Sequence, residues 1–446
     1  MGGGNMAHAN TMLYVTRVSF CIFVLFAMYL LGMLFYARTT ASPPAPVIVY
    51  QKAAPCPSAA PIKTLADVPS STPPAPSTRS TAKRPRASFA APEAAETEEK
   101  QQQYYHLFCF FNQSMQEGPS TTSLDVSQIP VGLCTHLVYS SVGINSRGFT
   151  LSLEGHDSGQ GAIERFAAFG QPSKLLVAVG GSRHDWRAYQ DIASDRYIAR
   201  DFGHKLRRWI HDRSLHGAVV NWPVPAEQRD VTELVQEVKR ALTGEQLLAV
   251  LLPHDKRRRR RMFDVRRLAT IADFLLFRMY GSHGPHRTEY PITEQDISLF
   301  PKAARSETGR DVFNKACMVL PLSGLSFVRA ASSTSLTPGA PAKGLGPAGR
   351  HSRQAGSLAY NELCAANWTQ VHAGHYGTAA TRGSVWVGYH DATQLARIVH
   401  VARRRHGASC FGLWALGDDD FRGSCGATKF PLVRAVAAEC KAPIAT

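Results

Sequence analysis

The chain has 446 residues, 44% of them hydrophobic, so it can bury the core of one large domain or of roughly two to three ordinary ones. Its formal charge is +16 and its sequence pI is about 9.6, a balance that suits nucleic acid, anionic lipid or an acidic glycan but carries no information on fold. The nine cysteines contain no Cys-x-x-Cys pair and no clustered Cys/His spacing, which argues against a zinc site. We expect no metal and no cofactor.

The N-terminal part of the chain predicts a membrane anchor and a stalk. Residues 1–17 form a short polar tail, and residues 18–37 are an uncharged apolar run that is long enough to cross a bilayer. The apolar region of a signal peptide is shorter, which favours an anchor; cleavage is the alternative and would make the protein secreted. Residues 38–103 are rich in Pro, Ala, Ser and Thr and predict a semi-extended stalk.

Two glycosylation sequons lie beyond the apolar run, at Asn112 and Asn367. Together with the anchor they favour a lumenal or extracellular domain, where disulfides persist. We therefore predict a single-pass type II membrane protein with residues 1–17 as the cytoplasmic tail. A lumenal domain without a DNA- or RNA-binding motif is not expected to bind nucleic acid.

From residue 104 onward, short apolar runs alternate with amphipathic helical stretches such as 195–212 and 231–242. Continuous runs of Val, Ile and Leu are typical of strands that are buried on both faces. Eight such strands fit a (β/α)8 barrel with insertions, and periodicity alone fits a doubly wound sheet nearly as well. The predicted strands are 105–111, 135–142, 174–179, 218–222, 247–252, 274–280, 316–320 and 410–415.

Motifs in chain order resemble those of family-18 chitinases over residues 104 to about 440. A Gly-Gly strand ends at Gly181, and the segment 216–225 resembles the catalytic strand, with Gly217, Trp222 and Pro225 as matches. The resemblance implies a (β/α)8 TIM barrel over residues 104–446, with a small α+β insertion at about 328–391 between strands seven and eight. Further matches lie at 108–111, 134–139, 278–281, 321–327, 386–389 and 413–416.

The segment that resembles the catalytic strand lacks the family's acids. The family pattern is Asp-Gly-x-Asp-x-Asp-Trp-Glu, in which the Glu protonates the leaving oxygen and the adjacent Asp holds the sugar's acetamido group. By this resemblance His216, Val219 and Asn221 replace the three Asp residues, and Pro223 replaces the Glu. Gly281 replaces another family Asp. Proline has no side-chain proton to donate, so we predict that the protein is not an enzyme.

The resemblance implies that a sugar-binding cleft remains. Trp414 at the end of strand eight would lie under the central sugar, because aromatic rings stack on the apolar face of a pyranose. Tyr280, Met279 and Asn221 would be further ligands of a chitin-type or other N-acetylglucosamine-containing glycan. One alternative is an interaction or growth-factor-like scaffold without a sugar ligand. A distant alternative is a glycosidase with a relocated acid, for which the candidates are Glu227, Asp255, Asp391 and Asp418.

A run of basic residues follows strand five and would therefore lie at the same end of a barrel as the cleft. A solvated loop, a basic processing site, and capture of an acidic glycan or lipid head group remain open readings of it. Arginine binds sulfate and carboxylate groups bidentately, which favours an acidic glycan among possible ligands. The run consists of Lys256, Arg257, Arg258, Arg259, Arg260 and Arg261, and we expect it to be an exposed loop.

The family resemblance also implies two disulfides, Cys109 with Cys134 and Cys364 with Cys425. Cys317, Cys410 and Cys440 have no partner in the family pattern. Cys317 and Cys410 lie on predicted buried strands, where a free thiol behaves as a small hydrophobic group.

Overall fold

The computed structural model describes residues 105–112, 123–153, 161–170, 172–253, 255–279, 284–364, 367–375 and 377–443. The predicted tail, apolar run and stalk lie outside the described residues, and so does the proposed ligand Tyr280. Within the described ranges no helix has both the length and the apolar character that crossing a membrane requires.

The strands that the described residues form follow closely the apolar runs of the sequence. In chain order they are β1 (His106–Asn112), β2 (His136–Asn145), β3 (Thr150–Ser152), β4 (Lys174–Gly180), β5 (Gly217–Asn221), β6 (Leu247–Leu252), β7 (Phe274–Arg278), β8 (Ala316–Pro321), β9 (Gly324–Arg329), β10 (Ala342–Leu345), β11 (Ser357–Leu358), β12 (Thr369–Ala373), β13 (Thr378–Arg382), β14 (Val385–Tyr389) and β15 (Cys410–Trp414).

The helices alternate with these strands, and several begin at a capping box that satisfies their first backbone N–H groups, as at Ser182, Thr293 and Asp391. In chain order they are α1 (Ala162–Ala167), α2 (Arg183–Ala193), α3 (Arg196–Asp212), α4 (Gln228–Ala241), α5 (Lys256–Met262), α6 (Val265–Ile271), α7 (Glu294–Thr308), α8 (Tyr360–Cys364), α9 (Ala392–His406) and α10 (Pro431–Lys441).

Eight parallel strands close into a barrel in the order β1-β2-β4-β5-β6-β7-β8-β15. The last strand returns to the first, with Trp414 opposite Phe110. Closure removes the sheet edges and excludes the doubly wound alternative. The architecture is that of a (β/α)8 barrel, and each barrel strand lies within a few residues of its predicted position.

The barrel strands are buried on both faces. Along β5, Val219 faces the barrel axis together with Phe108 and Leu176, whereas Ala218 and Val220 pack towards the surrounding helices. Both faces therefore require apolar residues, which explains why the sequence shows continuous apolar runs instead of alternation.

A second, antiparallel sheet lies between β8 and β15 in the chain. Its strand order is β10-β9-β14-β13-β12, and β11 pairs with β9. Phe327 and Trp386 belong to one apolar cluster of this sheet, and Leu358 and Val387 belong to another. The sheet occupies residues 324–389, so it begins before the expected boundary at 328.

Two of the disulfides are the pairs that the resemblance implies. Cys109 and Cys134 have a Cα–Cα separation of 6.1 Å and join β1 to the segment before β2. Cys364 and Cys425 are 5.2 Å apart between Cα atoms and join α8 to the chain after β15.

A third disulfide corrects the expectation of free thiols at Cys317 and Cys410. These residues lie on the neighbouring strands β8 and β15, and the register places Met318 opposite Phe411, so the two cysteines lie side by side. Both face the barrel axis, and their Cα atoms are 4.4 Å apart, a distance that a disulfide can span. Cys440 is a buried free thiol, and burial raises its pKa to about 12.

Candidate functional site

The candidate site lies at the carboxyl ends of the barrel strands, where barrel enzymes carry their active sites. We call the surface around Asn221, Arg278 and Trp414 the barrel mouth. Val219 is fully buried, Asn221 is 5% exposed, and Pro223 follows β5 in a half-buried position. The three positions therefore hold a hydrocarbon, an amide and a pyrrolidine ring, none of which can act as a general acid.

The Gly-Gly pair at the end of β4 makes room for Asn221. A Cβ atom on Gly181 would lie 2.6 Å from Asn221 Nδ2, and one on Gly180 would lie 2.9 Å from the Asn221 carbonyl oxygen. Both glycines have positive φ, +83° for Gly180 and +109° for Gly181, which larger residues rarely adopt. The glycine motif thus fixes the Asn221 side chain at the barrel mouth.

Trp222 faces away from the barrel axis and has a packing role. Its ring stacks on Tyr189 at a centroid distance of 5.1 Å with an interplanar angle of 18°. The Tyr189 hydroxyl donates to the Val179 carbonyl oxygen at 2.8 Å. This contact connects β5 to α2, so the Trp222 side chain is not available at the mouth.

Arg278 is a residue of the mouth that sequence reasoning missed. It ends β7, and its Nη2 donates to Asn221 Oδ1 at 3.3 Å. Its guanidinium carbon lies 5.1 Å from the centroid of the Trp414 ring, a cation–π geometry. The alternation of side chains along β7 could have predicted this position. Leu276 faces the barrel axis, so Arg278, two positions later, faces it as well.

The same alternation directs Met279 away from the mouth. Met279 is 4% exposed and packs in the cluster between the barrel and its helices. The structure therefore places Arg278, instead of Met279, beside Asn221 and Trp414.

Trp414 is half-buried at the end of β15, as the resemblance implies. It contacts Phe110 of β1 at a ring-centroid distance of 4.8 Å. An aromatic ring and a guanidinium group therefore both contact the indole and help to hold it at the mouth.

The acids considered as replacements for the missing general acid mostly make local backbone hydrogen bonds. Asp255 accepts from Arg258 N at 2.6 Å and Asp391 accepts from Gln394 N at 2.8 Å, each at the start of a helix. Asp418 accepts from Ala415 N at 3.3 Å, and burial raises its pKa to about 7. Glu227 is exposed at the start of α4.

The basic run forms the helix α5, so the expectation of an exposed loop is wrong. Arginine is a good helix former, and Asp255 caps the first turn. Arg259 is buried, and its guanidinium binds Glu307 of α7 through Nε–Oε2 at 2.7 Å and Nη2–Oε1 at 3.2 Å. The exposed members of the run are Lys256, Arg257, Arg258, Arg260 and Arg261.

The two sequons differ in accessibility. Asn367 is exposed just before β12, whereas Asn112 is half-buried at the end of β1. Among the residues that the structure describes, one group of possible metal ligands is found, Cys364, Asp420 and Cys425, and its two cysteines form a disulfide.

Residues 106–419 match the family described as glycosyl hydrolases family 18. The chain belongs to this family. The matched region begins at the first barrel strand and ends just beyond Trp414, and so it contains the whole barrel and the insertion.

Similar proteins within family 18 include both chitinases and chitinase-like proteins. Human chitinase-3-like protein 2 is 24% identical over 363 residues, 74% of this chain and 92% of the relative. Mouse chitotriosidase-1 is 22% identical over 76% of this chain and 79% of the length of that relative.

One similar solved structure is that of human YKL-39, which is described as a pseudo-chitinase with retained chitooligosaccharide binding. It has a TM-score of 0.65 and 22% sequence identity, and the match covers 75% of this chain and 99% of the YKL-39 chain. The group IV chitinase of Ostrinia furnacalis in complex with allosamidin has a TM-score of 0.66 at 24% identity, covering 75% and 98%. These likenesses establish the family-18 fold.

Proposed function

We propose that this protein is a catalytically inactive member of family 18 that binds a chitin-type oligosaccharide at the barrel mouth. The observation that carries the loss of hydrolysis is Pro223, which follows β5 where the family has its general acid. Val219 and Asn221 precede it on the same strand and supply no carboxyl group. The YKL-39 structure, described as a pseudo-chitinase that binds chitooligosaccharides, supports this combination.

The proposed sugar binding rests mainly on Trp414. Its indole is half-buried and contacts Phe110 and Arg278, so little conformational entropy is lost when a sugar stacks on it. Asn221 offers an amide that can bond an acetamido group, and Arg278 offers N–H donors to sugar hydroxyl groups. A neutral oligosaccharide can thus be held without a carboxylate.

Calorimetric titration of the full-length, detergent-solubilised protein with chitotetraose tests the binding. We expect Trp414→Ala to weaken binding about tenfold or more, corresponding to about 1.4 kcal/mol. Trp209→Ala is the matched control, because Trp209 is also half-buried beside an arginine but lies on the outer helix α3. Absence of chitotetraose binding by the wild type would instead favour the scaffold alternative.

We also propose that residues 18–37 anchor the protein as a type II membrane protein, with the barrel on the lumenal or extracellular side. The exposed sequon at Asn367 and the three cystines support an oxidising compartment. Glycosidase treatment should reduce the mass of the wild type and leave an Asn112→Gln/Asn367→Gln variant unchanged. A barrel that protease reaches from the cytosolic side of intact vesicles would contradict this topology.

A further inference from the structure

A cavity of about 360 Å³ lies within the insertion, and its lining residues all come from the segment 347–385. Barrel strands therefore contribute none of its described lining, and the cavity is separate from the barrel mouth. Its size falls within the range of about 300–1,000 Å³ that small-molecule sites occupy.

Asn361 lines this cavity, and its buried side-chain amide is unpaired. It lies on α8 and is 4% exposed, yet neither its Oδ1 nor its Nδ2 has a hydrogen-bond partner among the described residues. Buried side-chain amides are nearly always paired, so an unpaired donor and acceptor at a cavity wall point to a ligand that offers both.

The neighbouring acid, Glu362, already has hydrogen-bond partners. The Glu362 carboxylate accepts from His351 N at 2.7 Å, from Ser352 N at 3.3 Å and from Ala359 N at 2.8 Å. These bonds fix the loop that forms one wall of the cavity, so the wall is preorganised. They also leave the carboxylate committed to backbone donors.

The remaining charged groups of the lining are basic. Arg350 and Arg382 are exposed at the rim, and the Arg382 guanidinium lies 4.9 Å from the centroid of the Trp368 ring. Trp368 Nε1 donates to the Glu362 carbonyl oxygen at 3.2 Å, which holds the indole. Guanidinium groups bind carboxylate and sulfate well, whereas Trp368 and Leu358 supply apolar surface.

We propose that this cavity binds a small anionic saccharide unit, a sugar that carries a carboxylate or a sulfate group. The Asn361 amide pairs with hydroxyl or acetamido groups of the sugar, and Arg350 and Arg382 bind its anionic group. The site is independent of chitooligosaccharide binding at the barrel mouth.

The probes are glucuronic acid and N-acetylglucosamine 6-sulfate, with neutral N-acetylglucosamine as the comparison, titrated into the full-length protein at low salt. We expect at least one anionic sugar to bind about tenfold or more tightly than the neutral one. Asn361→Leu, which keeps the volume and removes the amide, should weaken that binding about tenfold. Arg382→Gln, at an exposed position that does not threaten folding, should do the same and reduce the salt dependence.

Two control variants separate this site from the rest of the molecule. Lys343→Gln removes one charge from an exposed position on β10 outside the cavity and should leave binding unchanged. Trp414→Ala should also leave anionic-sugar binding intact while it weakens chitotetraose binding. The proposal is overturned if neither anionic sugar binds, if Lys343→Gln and Arg382→Gln weaken binding equally, or if Asn361→Leu binds as the wild type does.

Discussion

The guanidinium group of Arg278 sets the electrostatics of the barrel mouth. Glycoside hydrolysis passes through a transition state with oxocarbenium character, which carries positive charge. Arg278 donates to Asn221, which by the resemblance replaces the family's acetamido-holding Asp. Two like charges about 4 Å apart repel by on the order of 4 kcal/mol at an effective dielectric constant of about 20. In a chain proposed to lack the family's acids, Arg278 would therefore be a further obstacle to hydrolysis.

Restoring the general acid alone should consequently leave the protein inactive. We expect Pro223→Glu to release no chromophore from a chitobiose substrate above the blank, because Val219 and Asn221 still supply no carboxylate and Arg278 remains. The measurement is the rate of chromophore release by the purified variant.

Chitotetraose binding by the same Pro223→Glu protein serves as the control that its barrel mouth is folded. Turnover by this variant would mean that Asn221 suffices to orient the acetamido group. Turnover by the wild type that disappears in Glu227→Gln would identify a relocated acid instead.

At the scale of secondary-structure elements, α5 combines two roles for its arginines. Arg259 points inward, where its side chain is 7% exposed and that of Glu307 is 5% exposed. It also lies over the Phe277 ring, 5.1 Å from its centroid. Arg260 is exposed, but its Nε also lies 3.8 Å from Glu307 Oε1, so two arginines pair with α7. The remaining arginines of the run, Arg257, Arg258 and Arg261, face solvent and form a basic surface.

Substitutions in α5 should therefore separate stability from anion binding. We expect Arg259→Gln to lower the free energy of unfolding by about 3–5 kcal/mol, because it removes the buried partner of the Glu307 carboxylate and leaves only the longer contact with exposed Arg260. We expect Arg257→Gln/Arg258→Gln/Arg261→Gln to change stability by less than about 0.5 kcal/mol each but to elute from heparin at lower salt. Denaturant titration and heparin chromatography measure the two effects.

The double variant Arg259→Met/Glu307→Leu is the control for the buried pair, since replacing both charges by apolar groups should recover most of the lost stability. Equal heparin retention by the wild type and the triple glutamine variant would show that the exposed arginines are an ordinary solvated surface.

The elements that the sequence predicts well are those that local pattern determines. Runs such as Leu247–Leu252 are apolar throughout because both faces of a barrel strand are buried, so the sequence predicts the strands to within a few residues. The disulfide between Cys317 and Cys410 depends on the register of two strands far apart in the chain. The roles of Arg259 and Arg278 depend on partners that tertiary packing brings to them, which no local pattern contains.

At the scale of the whole molecule, the end of the barrel opposite the mouth carries three histidines that favour the neutral state. His106, His136 and His216 lie at or just before the starts of their strands. Burial lowers the pKa of all three, and the positive charge of Lys174 lowers it further. For His136 burial is the largest cause, and the pKa falls to about 3. The His136 ring stacks on Phe108 at 4.2 Å, in an apolar setting.

The depressed pKa of His136 predicts a loss of stability in acid. In the unfolded chain His136 takes up a proton near pH 6.5, whereas in the folded chain it does so only near pH 3. The contribution of His136 to the free energy of unfolding is therefore fully present above pH 6.5 and is lost as the pH falls from 6.5 to 3. We expect the wild type to lose about 2 kcal/mol more than His136→Phe between pH 7 and pH 5. Denaturant titrations at both pH values measure this difference.

Two buried acids, Asp418 and Asp419, change the free energy of unfolding with pH in the opposite direction, so the effect of His136 is measured as a difference between the wild type and His136→Phe. Burial raises the pKa values of Asp418 and Asp419 to about 7, so their contribution becomes less favourable as pH rises from about 4 to 7. These acids are unchanged in His136→Phe and cancel in the difference. Identical pH profiles for the two proteins would contradict the role assigned to His136.

The disulfide between Cys317 and Cys410 encloses the whole insertion, residues 324–389, in one covalent loop. A protease that cuts any exposed turn of the insertion therefore leaves both fragments attached to each other through the inside of the barrel. Such a nicked molecule keeps the mass of the intact chain, apart from one added water, until a reductant reaches a bond that is shielded by eight strands. Under oxidising conditions a single cut can thus loosen the insertion without releasing either fragment.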